Sequence, residues 1–275
     1  QSFYTSNPVY IYTSSGTGIW ESASRCTVRE GRKILHLTCG AFSERWAEVS
    51  KLNGKQTDVL AVDWGQANKA EDLAEALRRS EYDAVAVVMN ETSTGVRNPI
   101  EQYAEILADY PDTLFLVDVV SSYMGEKILV DEWGIDVCLT STQKAFALPP
   151  GMALGAVSPA VLERARQVEN RGYYFDVLEI DRHHQKNNTP ATPPIALMYA
   201  ADRQLDDILS EGLDNRFARH ERMQQMTHEW VRRAGFELYS EDGYHSRTVS
   251  NVRNTRGIDV VALNNFLKYR GMMIS

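Results

Sequence analysis

From Val9 to Val157, short apolar runs closed by polar or turn residues alternate with amphipathic, charge-bearing stretches, and few folds accept that pattern. The runs are Val9 to Thr13, Ile34 to Thr38, Val59 to Asp63, Ala84 to Met89, Leu114 to Asp118, Val137 to Ser141 and Ala153 to Val157. Segments this short that are apolar at consecutive positions read as strands buried on both faces. Helical stretches such as Ala70 to Ser80 and Pro99 to Tyr110 separate several of them. Strand and helix in alternation predict an α/β fold, with a mostly parallel sheet carrying helices on both faces.

After Ser158 the pattern changes. Long helical stretches are expected over Pro159 to Arg171 and Pro194 to Ala234, interrupted near Gly212. Short strands follow at Glu237 to Tyr239 and Thr248 to Val252, then a helix over Val260 to Tyr269. The division expected is a large domain over 1–193, and connecting helices with part of a small α+β domain over 194–275. The chain opens on Gln1-Ser2-Phe3 without an initiator Met and stops at Met272 to Ser275, which reads as the start of a strand. It is therefore expected to be an internal segment.

A net charge of -8 argues against a nucleic-acid or anionic-membrane surface, so the ligands expected are small molecules. Cys26, Cys39 and Cys138 are widely spaced and form no CxxC pair; they read as buried or half-buried thiols in a reducing cytoplasm. Neither a membrane span nor a signal-peptide layout is visible.

The chemistry is concentrated in two strand ends. Asp118 closes the run Leu114 to Asp118, and Lys144 follows the run Val137 to Ser141. Ligands of open α/β sheets sit at the carboxyl ends of strands, so both charges can reach one crevice. Pyridoxal phosphate needs such a pair: an amine to form an imine and a carboxylate to keep the pyridine nitrogen protonated. By themselves the two residues fit a buried salt bridge equally well.

Wider motifs decide between these. Ser15-Gly16-Thr17, Phe42 in Gly40-Ala-Phe-Ser-Glu-Arg45, Glu91-Thr-Ser-Thr-Gly95, Val117-Asp118 with Val120, and Ser141-Thr-Gln-Lys144-Ala ahead of Pro149-Pro-Gly151 occur in that order. In this the chain, from about Tyr12 to its last residue, resembles the class V aminotransferases of the alanine-glyoxylate and serine-glyoxylate (serine-pyruvate) type. The resemblance implies a PLP-dependent transferase fold like that of aspartate aminotransferase, with a mainly parallel seven-stranded sheet between helices. It also implies a homodimer with pyridoxal 5′-phosphate as cofactor, and transamination between an amino acid such as serine or alanine and a 2-oxo acid such as glyoxylate or pyruvate.

Carried over residue by residue, Lys144 resembles the Schiff-base lysine and Asp118 the partner of the pyridine nitrogen. Gln143 and Thr92 match positions contacting the ring, its phenolic oxygen or the phosphate. Val120 and Phe42 would cover the two ring faces; Phe42 stands where the family often has Trp. Ser15, Gly16 and Thr17 resemble the phosphate-cradling turn at a helix start, where backbone N–H groups favour an anion. Thr192 matches a threonine that reaches the phosphate of the neighbouring subunit.

Rival readings are few. Ser141-Thr-Gln-Lys144 has the spacing of the Ser-x-x-Lys of penicillin-binding enzymes, yet Pro149-Pro150 would end the helix such a serine begins, and the companion motifs are missing. A cysteine desulfurase or related lyase is expected to carry His before the lysine and a later Cys, where this chain has Gln143 and no Cys after Cys138. A third alternative is a catalytically incomplete cofactor-binding homologue, because the family's substrate-carboxylate arginine would lie beyond Ser275. Among the remaining residues, His183-His184 has no acidic or cysteine partner at ligand spacing and is expected in a solvated loop. Arg216, Arg219 and His220, near Glu211 and Glu221, read as a charged solvent face or subunit contact. The Trp and Tyr residues read as structural.

Overall fold

All the apolar runs become strands of one sheet in the computed structural model, which describes residues 2–273. In chain order the elements are β1 (Val9–Tyr12), α1 (Gly16–Thr27), β2 (Lys33–Thr38), α2 (Ala41–Leu52), β3 (Gln56–Ala61), α3 (Ala70–Arg79) and β4 (Ala84–Val88). Two short strands, β5 (Asn90–Glu91) and β6 (Val96–Arg97), precede α4 (Ile100–Leu107), β7 (Leu114–Asp118), β8 (Val137–Ser141), β9 (Ala153–Val157) and α5 (Pro159–Arg166). The rest comprises α6 (Val177–His184), α7 (Ile195–Glu211), α8 (Leu213–Arg233), β10 (Glu237–Leu238), β11 (Val252–Arg253) and α9 (Val260–Tyr269).

The seven-stranded sheet runs β1-β9-β8-β7-β4-β2-β3. Its pairs β8-β7, β7-β4, β4-β2 and β2-β3 are parallel, and only β9 runs against its neighbours. The fold is thus the mostly parallel α/β layer expected. Strand alternation sorts the core into two. Ala84, Ala86, Val88, Leu114 and Leu116 pack with Ile19, Trp20 and Trp46 of α1 and α2 on one face. Val85, Val87, Phe115 and Val117 pack with Leu73, Ile100 and Tyr103 of α3 and α4 on the other. Ala201 and Ile208 anchor α7 to this second core.

Several boundaries move. β3 begins at Gln56 rather than Val59, because pairing with β2 from Lys33 onward, not apolarity, defines this exposed edge strand. The helix predicted to Arg171 ends at Arg166, ahead of a turn in which Asn170 takes a φ of 56°. Residues His183 and His184 lie not in a loop but in the last turn of α6. Asp176 caps that helix by accepting from the Leu178 amide, and Val177 and Ile180 bury its inner face. The strand expected over Thr248 to Val252 shrinks to Val252–Arg253, because Thr248 is instead drawn to the Ser121 carbonyl at 2.5 Å. Met272 and Met273 form no strand, and the last two residues of that expected strand lie outside the described residues. No helix among the described residues is long and apolar enough to cross a membrane. All three cysteines are buried free thiols.

Candidate active site

Five strands, β1, β2, β4, β7 and β8, present their carboxyl ends on the same edge of the sheet, and the segments leaving them wall a cavity of about 180 Å³. Its lining includes Ser15, Gly16 and Thr17 after β1, Phe42 after β2, Thr92 after β4, Asp118 and Val120 at the end of β7, and Gln143 and Lys144 after β8. The sequence-predicted residues therefore meet in one place, with one exception. Thr192 is exposed and outside this lining; its carbonyl accepts from Thr13 Oγ1 at 3.3 Å.

Asp118 is 3% exposed, and its two oxygens have separate donors. The Val120 amide donates to Oδ1 at 2.7 Å, and the Trp20 indole to Oδ2 at 2.6 Å. No ion pair joins Asp118 to Lys144, so the buried salt bridge considered above is not formed. Burial pushes the Asp118 carboxyl up to about 7, against the two hydrogen bonds; Glu91 raises it further and Lys144 lowers it.

Close packing governs the mouth of α1. A Cβ at Gly16 would stand 2.8 Å from Val120 Cγ2, so only glycine lets the helix start approach β7 this closely. No side chain caps α1, which leaves its first amide groups available to an anion. Phe42 is held from below. Glu91, fully buried, accepts from the Ser43 amide at 2.9 Å and the Phe42 amide at 3.3 Å, and so satisfies the start of α2 with a carboxylate. Thr92 pairs with Ser121 through their hydroxyls at 2.6 Å. Asn251, from the C-terminal part of the chain, donates to the carbonyls of Thr92 and Ser93 at 3.3 and 3.0 Å, securing that loop.

Sequence reasoning missed five lining residues, Trp20, Val88, Asn90, Ser121 and Ser141. A signal for them existed. Trp20 lies four residues after Gly16, hence on the same face of α1, and the polar three sit where apolar runs end. Asn90 Oδ1, Ser141 Oγ and Gln143 Oε1 are buried with no hydrogen-bond partner, although all three residues border the cavity. Buried polar atoms are seldom left this way, and three around one cavity are suited to a polar ligand.

Two other expectations need correction. Arg216 is buried, not solvent-facing: it donates to the carbonyls of Met124 at 3.0 Å and Ala145 at 2.6 Å, and pairs with Glu211 at 2.9 Å. It thereby ties α8 to the residue following Lys144. His183 does have an acidic neighbour one turn earlier, Glu179 at 3.1 Å, which the loop reading overlooked.

A class-V aminotransferase family model matches residues 4–275. An uncharacterized aminotransferase of Methanocaldococcus jannaschii is 37% identical over 260 residues, or 94% of this chain and 67% of the relative. A serine–glyoxylate aminotransferase of Arabidopsis thaliana is 35% identical over 261 residues, or 93% of this chain and 65% of the relative. Among solved structures, an alanine–glyoxylate aminotransferase from Nostoc sp. superposes with a TM-score of 0.91 at 28% identity, over 98% of this chain and 72% of that one. The chain spans about two thirds of the length of the curated relatives it matches. With a family model over nearly its whole length and an architecture shared with a solved family member, the chain belongs to the class-V aminotransferases, which work with pyridoxal 5′-phosphate.

Proposed function

We propose that the protein transfers an amino group from an amino acid, serine or alanine, to a 2-oxo acid, glyoxylate or pyruvate, in the cavity lined by Asp118 and Lys144. The carrying observation is that these two residues border one cavity without pairing with each other, amid polar atoms that lack partners. The donor set suits pyridoxal phosphate: an uncapped helix start for the phosphate, apolar Phe42 and Val120 for the ring faces, and unpartnered Gln143 and Ser141 for polar ring substituents. When bound, the cofactor supplies an electrophilic carbon and an electron-withdrawing ring.

On this reading the residues divide the work. Lys144 Nζ would hold the cofactor and, when free, would move the proton at the substrate Cα. Asp118 holds a proton on the ring nitrogen. Ser15, Gly16 and Thr17 bind the phosphate, and Thr92 and Gln143 orient the ring. All three named relatives are aminotransferases, and the Arabidopsis and Nostoc proteins share glyoxylate and differ in the donor, serine or alanine, which supports amino transfer over the lyase alternative. We further infer a cytoplasmic homodimer in which Thr192 reaches the phosphate held by a second copy. Residues 1–193 form the cofactor-binding domain and 194–275 the connecting helices and part of a small domain.

The test is the visible spectrum of the purified chain with pyridoxal phosphate, before and after L-serine or L-alanine, with Lys144→Ala alongside. A band that needs Lys144 and is bleached by the amino acid is expected. An unchanged band and normal turnover in Lys144→Ala would refute the assignment.

A further inference from the structure

The cavity wall carries one aromatic residue with a polar task. Trp20 sits one turn into α1, is 3% exposed, and donates from Nε1 to Asp118 Oδ2 at 2.6 Å. Its ring stacks on Trp46, with centroids 5.8 Å apart and planes 12° apart. Trp46 is itself fully buried and meets His36 edge-on at 5.6 Å. The indole is therefore held by a packed aromatic column, and turning away from Asp118 would break it.

The Val120 amide occupies the other oxygen of the same carboxylate. Each carboxylate oxygen can accept twice, so two donors on different oxygens fix the plane of the group and leave acceptor capacity on both. We propose that Trp20 is a positioning residue acting through Asp118: with the Val120 amide it locks the carboxylate and favours its ionised form, ready for a protonated ring nitrogen. This deepens the reading of the cavity as a pyridoxal phosphate site and rests on it.

The charges around Asp118 explain why a neutral, fixed donor matters there. Glu91 on β5 opposes ionisation and Lys144 beyond β8 favours it, while the Cys138 thiol on β8 is buried beside it and kept protonated. Lys144 is exposed and acts on Asp118 only at a distance, without an ion pair. The Trp20 and Val120 N–H groups touch it directly.

Two measurements on the full chain decide the matter. In the cofactor-free protein, one of the five tryptophan indole N–H resonances should titrate with pH, vanish in Trp20→Phe and stop titrating in Asp118→Asn. In equilibrium dialysis, Trp20→Phe, which keeps an aromatic ring against Trp46 and removes the N–H donor together with part of the ring volume, should raise the dissociation constant for pyridoxal phosphate about tenfold. The absence of any indole resonance that responds to Asp118→Asn overturns the proposal even if Trp20→Phe fails to fold. So does a Trp20→Phe protein that binds the cofactor as tightly as the wild type, or more tightly, the last meaning that the indole competes with the ring nitrogen. If the wild type takes up no cofactor, the reading of the cavity falls and this proposal with it; normal wild-type uptake that Trp20→Phe leaves unchanged overturns this proposal alone.

Discussion

Asp83 sits at the amino end of β4, on the sheet edge opposite the cavity, with its carboxylate shielded completely from solvent. Three arginines converge on it: Arg29 donates from Nη2 at 2.6 Å and Nε at 2.9 Å, Arg32 from Nε at 3.0 Å, and Arg164 Nη1 lies at 3.5 Å. Replacing Asp83 by asparagine keeps the shape, removes the charge, and turns an NH2 group toward guanidinium. Removing one member of a buried ion pair costs about 3–5 kcal/mol. Arg29 and Arg32 are each about a third exposed and can rehydrate, so the low end, roughly 3 kcal/mol, is expected. Burial works to raise the Asp83 pKa, but the hydrogen bonds from Arg29 and Arg32 and the charge of Arg164 prevail and hold it below the ordinary carboxylate value. A depressed pKa contributes stability above the unfolded value, and that contribution is lost as pH falls through the folded one. Urea denaturation should therefore show a constant deficit for Asp83→Asn from about pH 5 to 8 that shrinks below about pH 4. Cofactor binding should be unchanged. A deficit under about 1 kcal/mol, the value of an exposed pair, would refute the buried-hub argument.

The sign reverses at Asp118, whose pKa burial raises to about 7: in the cofactor-free protein its contribution to stability is complete below about pH 4 and is lost as pH rises through about 7. Asp118→Asn should flatten that part of the stability profile in denaturation curves, and an unchanged slope would contradict the burial argument. Gly16→Ala should weaken cofactor binding about tenfold in equilibrium dialysis, because the new Cβ meets Val120 Cγ2 at 2.8 Å, while melting changes little since alanine favours the helix by about 1 kcal/mol. Arg216→Ala leaves the carbonyls of Met124 and Ala145 without their donor and should cost roughly 3 kcal/mol in urea denaturation. It should also weaken cofactor retention, because Ala145 follows Lys144; retention equal to wild type would separate α8 from the site.

What was legible in the sequence follows from what sets each element. Central strands such as Leu114–Asp118, Val137–Ser141 and Ala153–Val157 are buried along almost their whole length, so their apolar limits are their structural limits. β3 is an edge strand held by main-chain pairing, and its polar start, Gln56-Thr-Asp58, carries no hydrophobic signal. The eight-residue α6 depends on its Asp176 cap and two buried side chains, too little periodicity to distinguish it from a loop.

The site was legible to the extent that its residues act through local position. Asp118 closes a strand and Lys144, Thr92 and Phe42 follow strand ends, and the rule that ligands gather at those ends brings them together before any coordinates are known. Trp20 and Arg216 escaped because their roles arise across the chain: each donates to an acceptor about ninety residues or more away, Trp20 to Asp118 and Arg216 to Met124. A lone tryptophan in a helix and an arginine beside a glutamate are ordinary surface or core residues until the partner is known. In both, the polar tip reaches a group next to the chemistry, Asp118 itself for Trp20 and the backbone beside Lys144 for Arg216. The Asp118 carboxylate and the backbone beside Lys144 are thus held by donors from α1 and α8, and although the spacing from Gly16 puts Trp20 on the cavity face of α1, neither helix sequence names the acceptor.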